Sequence, residues 1–299
     1  MMSMSDKVQV LQTELLQVAG QNAPLSILGD PESAMLQLPQ IDCPVVHHFG
    51  PGLCIREVFI PAGTLAIGHK QKFEHVNILL QGKVTVVDDD GSTRTLSAPM
   101  IFTGKPGRKI GYVLEDMVWQ NVYATDLRDP VDVENFFIEK SDAWHDAQAH
   151  KFALESVARL TDREDYFCLL EECNFSHKTA RQQSENKDDQ MWFDSNVVQV
   201  AESPIEGKGL FATAKISANS TICPARIDGK RTQGGRYTNH AARPNAKMVL
   251  LPNGDIDLVA LVDIDGCKGG DLGAEITIDY RQALALSGIQ FIKEISCQA

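Results

Sequence analysis

The chain has 299 residues, 43% hydrophobic and 23% charged, with 28 Lys and Arg against 40 Asp and Glu, a formal charge of −12. That balance fits a folded globular chain rather than a disordered one, and at roughly 150 residues per domain it suggests about two domains. So acidic a chain lacks the phosphate-neutralising surface of a nucleic-acid binder, so DNA and RNA are not expected partners.

The first residues, MMSMSDKVQV, show no basic region followed by an apolar run, so no signal peptide is expected. Val8, Leu11, Leu15 and Val18 recur at helical spacing, which predicts a short helix over 7–18, ended by Gly20 and Asn22. Residues 1–40 are read as this helix and a loop. From Cys43 to Thr125 short β-branched runs alternate with turn residues. CIREVFI (54–60), VNILLQ (76–81), KVTVVD (83–88), MIFTG (100–104) and VWQNVYA (118–124) read as strands, with turns at Asp89–Ser92 and Pro106–Gly107. This predicts a small all-β barrel or sandwich over 41–128. Residues 129–195 read as a helical connector, with EDYFCLLEECNF (164–175) carrying an apolar stripe and the polar run 177–190 an exposed linker. A second β domain fills 196–299: VVQVAES, GLFATAKI, STICPARI, MVLLPNG, DIDLVALVDI and AEITIDY read as its strands, and 287–296 as a short strand or helix.

No stretch of about 18 apolar residues occurs, so no membrane partner is expected. Seven cysteines, an odd number without CxxC spacing, argue against a disulfide framework and a zinc ribbon and for a reducing, cytoplasmic compartment.

In the first β region, Gly63, His69, Gln71, His75 and Gly82 follow the spacing G-x5-H-x-Q-x3-H-x6-G. This resembles the first cupin motif, with Gln for its second His and His for its Glu. The resemblance covers about 45–125 and implies a cupin-like β-barrel. In metal-binding cupins imidazoles and a carboxylate converge inside the barrel, so a divalent metal on His69 and His75, with Gln71 a weak third ligand, is one reading. The segment Pro106–Ile110 carries no histidine for the second motif. The other reading is a barrel used for homo-oligomer assembly or ligand binding, with its histidines hydrogen-bonded.

In the second β region three segments follow in order: Glu206-Gly207-Lys208-Gly209-Leu210, then Arg236-Tyr237-Thr238-Asn239-His240 with Arg243-Pro244-Asn245, then Gly273-Ala274-Glu275-Ile276-Thr277-Ile278-Asp279-Tyr280. Together they resemble the GxG, RFxNHSxxPN and GEExTxDY motifs of SET-domain protein-lysine methyltransferases, over about 197–281. The resemblance implies a compact β fold of small sheets with a pseudoknot. It implies S-adenosylmethionine as cofactor and a lysine-bearing protein as substrate. Carried over, the backbone of Lys208, Gly209 and Leu210 lines the methionine end of the cofactor. Asn239 hydrogen-bonds the cofactor and His240 holds its adenine through backbone contacts and packing. Tyr280 orients the lysine amine, and Tyr237 either lines the lysine channel or packs in the core.

The chain departs from the pattern in four places. Ala241-Ala242 replaces Ser-Cys, and only Cys297 follows the last motif, so the family's C-terminal zinc segment is absent. The stretch from Ile222 to Arg236 lacks the usual insert of several tens of residues. Ile278 stands where relatives often carry Phe or Tyr. DGCKGGDL (265–272) reads as an inserted surface loop.

A cupin–helix–SET order is associated with proteins of tailed bacteriophages, which implies a bacterial host cytoplasm or a place in the virion. The function implied is SAM-dependent protein-lysine N-methylation. The alternatives are a catalytically inactive SET/cupin component of a phage assembly and a cupin-centred metalloenzyme.

Overall fold

The computed structural model describes residues 31–36, 38–87, 92–149, 160–184, 191, 193 and 195–288. The helix expected over 7–18, the tip of the turn at 89–91, the end of the polar run (185–190) and the tail beyond Gly288 lie outside them. The described residues fall into two units. One comprises those up to 149 together with Lys268–Asp271, the other those from 160 to 267 and from Leu272 onward. Both are β-rich, and the mainly β class expected from the sequence is the class observed.

The first unit opens with α1 (Pro31–Leu36). Its strands are β1 (Val45–Gly50), β2 (Leu53–Ile60), β3 (Leu65–Ile67), β4 (Lys70–Gln71), β5 (His75–Val87), β6 (Thr93–Ser97), β7 (Met100–Gly104), β8 (Ile110–Ala124) and β9 (Ile138–Glu139). The main sheet runs β1-β2-β8-β5-β6, with β3 also on β8 and β7 on β5. VNILLQ and KVTVVD, expected as separate strands, belong to the single strand β5. The reason lies at Gly82. His75, Asn77 and Leu79 point inward before it, and Val84 and Val86 after it, so the inward set changes from odd to even. A change of phase needs one extra residue, and the register between β5 and β8 shifts three times between Leu79 and Val84. Gly82 takes φ +86°, and a Cβ there would collide with the Asp116 carbonyl. Inward side chains of Leu79, Val84, Val86, Leu96, Val113 and Met117 form one core cluster. A second core joins Cys54 and Tyr123 to Val133 and Phe137 of α2 (Pro130–Phe137). That helix starts with Pro130, and Asp129 caps it by accepting from the Val131 and Asp132 N–H groups. Residues 142–149 are also helical.

The second unit opens with α3 (Leu160–Glu172) and α4 (His177–Ser184), so the first half of the run read as an exposed linker is helical. Two four-stranded sheets follow. One runs β10 (Val198–Glu202), β11 (Lys208–Ala212), β17 (Glu275–Ile278), β14 (Asn239–His240). The other runs β13 (Lys230–Arg231), β12 (Thr221–Ile227), β16 (Ile256–Ala260), β15 (Ala246–Leu250). Val200, Leu210 and Ile276 from the first and Ile222, Leu258 and Ala260 from the second share one core. The helices α5 (Gln233–Arg236) and α6 (Tyr280–Leu286) flank the Asn–His and Tyr280 segments. DGCKGGDL is only partly a surface loop. Gly266 and Cys267 are buried, and the Cys267 thiol lies 3.8 Å from the Ala212 carbonyl.

Candidate functional site

β14 is two residues long and lies parallel to β17, Asn239 opposite Thr277 and His240 opposite Ile278. On its other side β17 pairs antiparallel with β11, Leu210 opposite Ile276. Three segments distant in sequence therefore meet on one strand. So short a parallel pair has little stability of its own, and side chains must hold it. Asn245 does part of this, donating to the Glu275 carbonyl at 2.8 Å and accepting from the Thr277 N–H at 2.8 Å.

The Asn239 amide donates to Glu275 Oε1 at 2.8 Å and lies 3.0 Å from Ser203 Oγ, whose hydroxyl donates to the same carboxylate at 2.8 Å. It also stands 3.3 Å from the Glu206 carbonyl and 3.4 Å from that of Lys208. This places Asn239 against the Gly-Lys-Gly turn. Gly209 is required there because a Cβ would collide with the Glu275 carboxylate, and Gly207 takes φ +53° at the turn. Leu210 is fully buried, while Lys208 is exposed. The set around Asn239 is rich in acceptors: a carboxylate, a hydroxyl and two carbonyls. Such a set suits a small ammonium group.

His240 is buried, at 3% exposure. Its Nδ1 accepts from the Tyr280 N–H at 3.2 Å, so Nε2 carries the hydrogen and donates to Asp165 Oδ2 at 2.9 Å. The Tyr280 hydroxyl donates to the Thr238 carbonyl at 3.0 Å, and its ring centroid lies 5.3 Å from that of His240. Burial holds the phenol above its ordinary pKa, so it stays protonated across the physiological range. Tyr237 packs against the core of the unit and carries the Arg236 guanidinium 5.1 Å above its ring.

Sequence reasoning missed what α3 brings to this place. Tyr166 sets its ring 6.2 Å from both His240 and Tyr280. Asp162 accepts from the Ala242 N–H at 2.9 Å. Asp165 and Glu172 each take a two-pronged grip on Arg281, with four N···O distances between 2.8 and 3.0 Å. Burial raises the pKa of Asp165, but its bonds to Arg281 and His240 outweigh this and hold the carboxyl below its usual range. The local signal available was Asp162, Asp165, Tyr166 and Glu172 within one helical run; their partners lie more than 70 residues away.

In the first unit, the two histidines that one reading made metal ligands have other neighbours. His75 presents Nδ1 to the Phe73 carbonyl at 3.0 Å and Nε2 to Asn77 Oδ1 at 3.2 Å. The same Asn77 oxygen accepts from Trp119 Nε1 at 3.1 Å and Asn121 Nδ2 at 2.9 Å. Gln71 accepts from the Tyr123 hydroxyl at 3.0 Å. His69 meets Trp144 edge to face at 5.7 Å, and burial pushes its pKa down to about 3. Among the described residues no group of three or more His, Cys, Asp or Glu is arranged to hold a metal ion. The residues present do not fit the divalent ion of a metal-binding cupin.

No protein-family model and no curated protein matches the chain. Among solved structures, it is similar to an HTH_3 family transcriptional regulator from Vibrio cholerae (17% identity, 29% of this chain, 53% of that one, TM-score 0.25). It is also similar to an RmlC-like cupin family protein with a double-stranded β-helix fold from Methanocaldococcus jannaschii (14% identity, 27% of this chain, 79% of that one, TM-score 0.24). A cupin superfamily protein from Desulfitobacterium hafniense matches at 11% identity over 36% of this chain and 97% of its own (TM-score 0.24). The chain thus spans about half the length of the Vibrio cholerae regulator. At such TM-scores these likenesses decide nothing, and the β architecture of each unit stands on its own strand pairing.

Proposed function

We propose that the second unit is a SET-type, S-adenosylmethionine-dependent protein-lysine N-methyltransferase. The observation that carries this reading is the meeting of three motifs. Asn239 and His240 lie beside β17, the Asn239 amide touches the Gly-Lys-Gly turn, and Tyr280 bonds back to Thr238. The acceptor set of Ser203, Glu206, Lys208 and Glu275 fits the α-ammonium of the cofactor's methionine end. When bound, S-adenosylmethionine supplies an electrophilic methyl group on a sulfonium. The chain's own contribution is then alignment and dryness. Tyr280 is held protonated with its hydroxyl spent on Thr238, so it orients the lysine amine through its remaining lone pair and takes no proton. A lysine amine needs its neutral form to attack, and an apolar channel favours that form by disfavouring the ammonium. Tyr166 on α3, its ring 6.2 Å from both His240 and Tyr280, adds an aromatic wall on that side of the site.

One observation favours the alternative, a catalytically inactive binding or structural module. The stretch that carries a long insert in the family is here the short β12–β13 hairpin followed by α5, which offers little surface for a peptide groove. Tritiated methyl transfer from S-adenosylmethionine into bacterial lysate separates the two. The enzyme reading expects labelled lysine that disappears with Tyr280→Phe. Absence of label at every protein concentration, or label unchanged by the substitution, counts against it.

A further inference from the structure

The first unit carries a cavity of about 430 Å³ that opens to the surface, within the usual range for a small-molecule site. Its walls are mostly apolar, with Val58, Ile60, Val84, Val113 and Met117 among them. The polar groups on those walls are unevenly matched. Arg56 is paired with Glu134 at 2.8 Å, and Arg108 with Glu32. His69 and His75 are neutral, because burial disfavours their charged forms. What remains is a set of hydrogen-bond donors. The Trp144 indole N–H and the Thr64 hydroxyl are buried and make no hydrogen bond among the described residues. Lys109 also lines the cavity. Among the described residues the charged neighbour that most affects it is Arg94, another cation, and burial lowers its pKa. An ammonium half removed from water with no anion beside it among the described residues is costly, and so is an unmatched buried donor.

We propose that this cavity binds a small carboxylate with an apolar body, its carboxylate meeting Lys109 and its body filling the apolar interior toward the unmatched donors. The inference grows from a disagreement. The motif here resembles that of metal-binding barrels, yet the histidines are turned to Phe73, Asn77 and Trp144. An organic anion can then bind the unmatched cation directly, with no metal between them. Nothing in it depends on methyl transfer by the second unit.

The test uses the full chain after dialysis against chelator, followed by tryptophan fluorescence and calorimetry. The probes are hexanoate and benzoate, each against its neutral amide. The proposal expects saturable binding of at least one carboxylate, at least about tenfold tighter than its amide. Lys109→Met should remove that preference while leaving amide binding in place, and Lys109→Arg should keep it. Should Lys109→Met fail to fold, Lys109→Gln carries the same expectation. The proposal is overturned if carboxylate and amide bind alike. It is equally overturned if the preference survives Lys109→Met or Lys109→Gln, or if no carboxylate binds up to about 10 mM.

Discussion

Replacing Arg281 with Met is the sharpest probe of how α3 is held to the second unit. The guanidinium makes four N–H···O contacts of 2.8–3.0 Å, two to Asp165 and two to Glu172. The side chains are 27% exposed for Arg281, 28% for Asp165 and 20% for Glu172, between the exposed and buried extremes. Exposed ion pairs contribute about 0–1 kcal/mol, and breaking fully buried ones costs about 3–5 kcal/mol. The intermediate exposure places Arg281→Met at about 2 kcal/mol of destabilisation, much of it from taking the cation away from Glu172 and leaving Asp165 with His240 alone. Urea unfolding followed by circular dichroism measures this, and a double-mutant cycle with Asp165→Asn should show coupling of about 1 kcal/mol. The pH dependence has a definite sign. The folded pKa of Asp165 is depressed, so its contribution is present above the unfolded carboxylate pKa and is lost as pH falls through the folded value. The cost of Arg281→Met should therefore shrink in acid. A loss under about 0.5 kcal/mol at neutral pH, or strict additivity with Asp165→Asn, would refute the clamp.

Three further outcomes are expected. Gly82→Ala meets both a positive φ and the Asp116 carbonyl, so it should cost about 2–4 kcal/mol in urea unfolding, whereas Gly254→Ala, with open space around it, should cost less. Glu134→Gln removes the charged carboxylate from beside Arg56 and Lys140, at 2.8 and 3.0 Å, and should cost about 1–3 kcal/mol at pH 7. Although burial raises the Glu134 pKa, Arg56, Lys140 and His47 together hold it far below the usual range, so this difference should vanish only in strong acid. Tyr280→Phe removes the bond to Thr238 and should cost about 1 kcal/mol of stability while abolishing methyl transfer; a stable, fully active variant would remove the tyrosine from its proposed role.

Strand identity was largely legible because β-branched runs report a half-buried pleat directly. DIDLVALVDI contains β16, and AEITIDY contains β17. Gly82 falls between VNILLQ and KVTVVD, which read as two strands, yet one strand runs through it. A glycine at φ +86° marks a bulge as readily as a turn, and only the phase of the inward residues distinguishes them. Asn239, His240 and Tyr280 were picked out by ordered motifs. Their partners were not: Glu275 lies inside the last motif, yet its bond to Asn239 appears only once β14 and β17 are paired. Asp165, Tyr166 and Glu172 lie in a stretch whose local pattern reads only as the apolar stripe of a connector helix. Nothing within that helix encodes a contact with Arg281, 116 residues from Asp165. The same limit applied to His75, whose spacing matches a ligand motif while Phe73 and Asn77, two residues to either side, set oxygens against both ring nitrogens, from one of which the neutral ring donates.

Calorimetry of S-adenosylmethionine against the full chain tests the central reading most directly. The account predicts one saturable site per chain with a Kd below about 100 μM, weakened at least about tenfold by Asn239→Ala. No heat of binding at about 1 mM cofactor, or binding indifferent to Asn239, would contradict it.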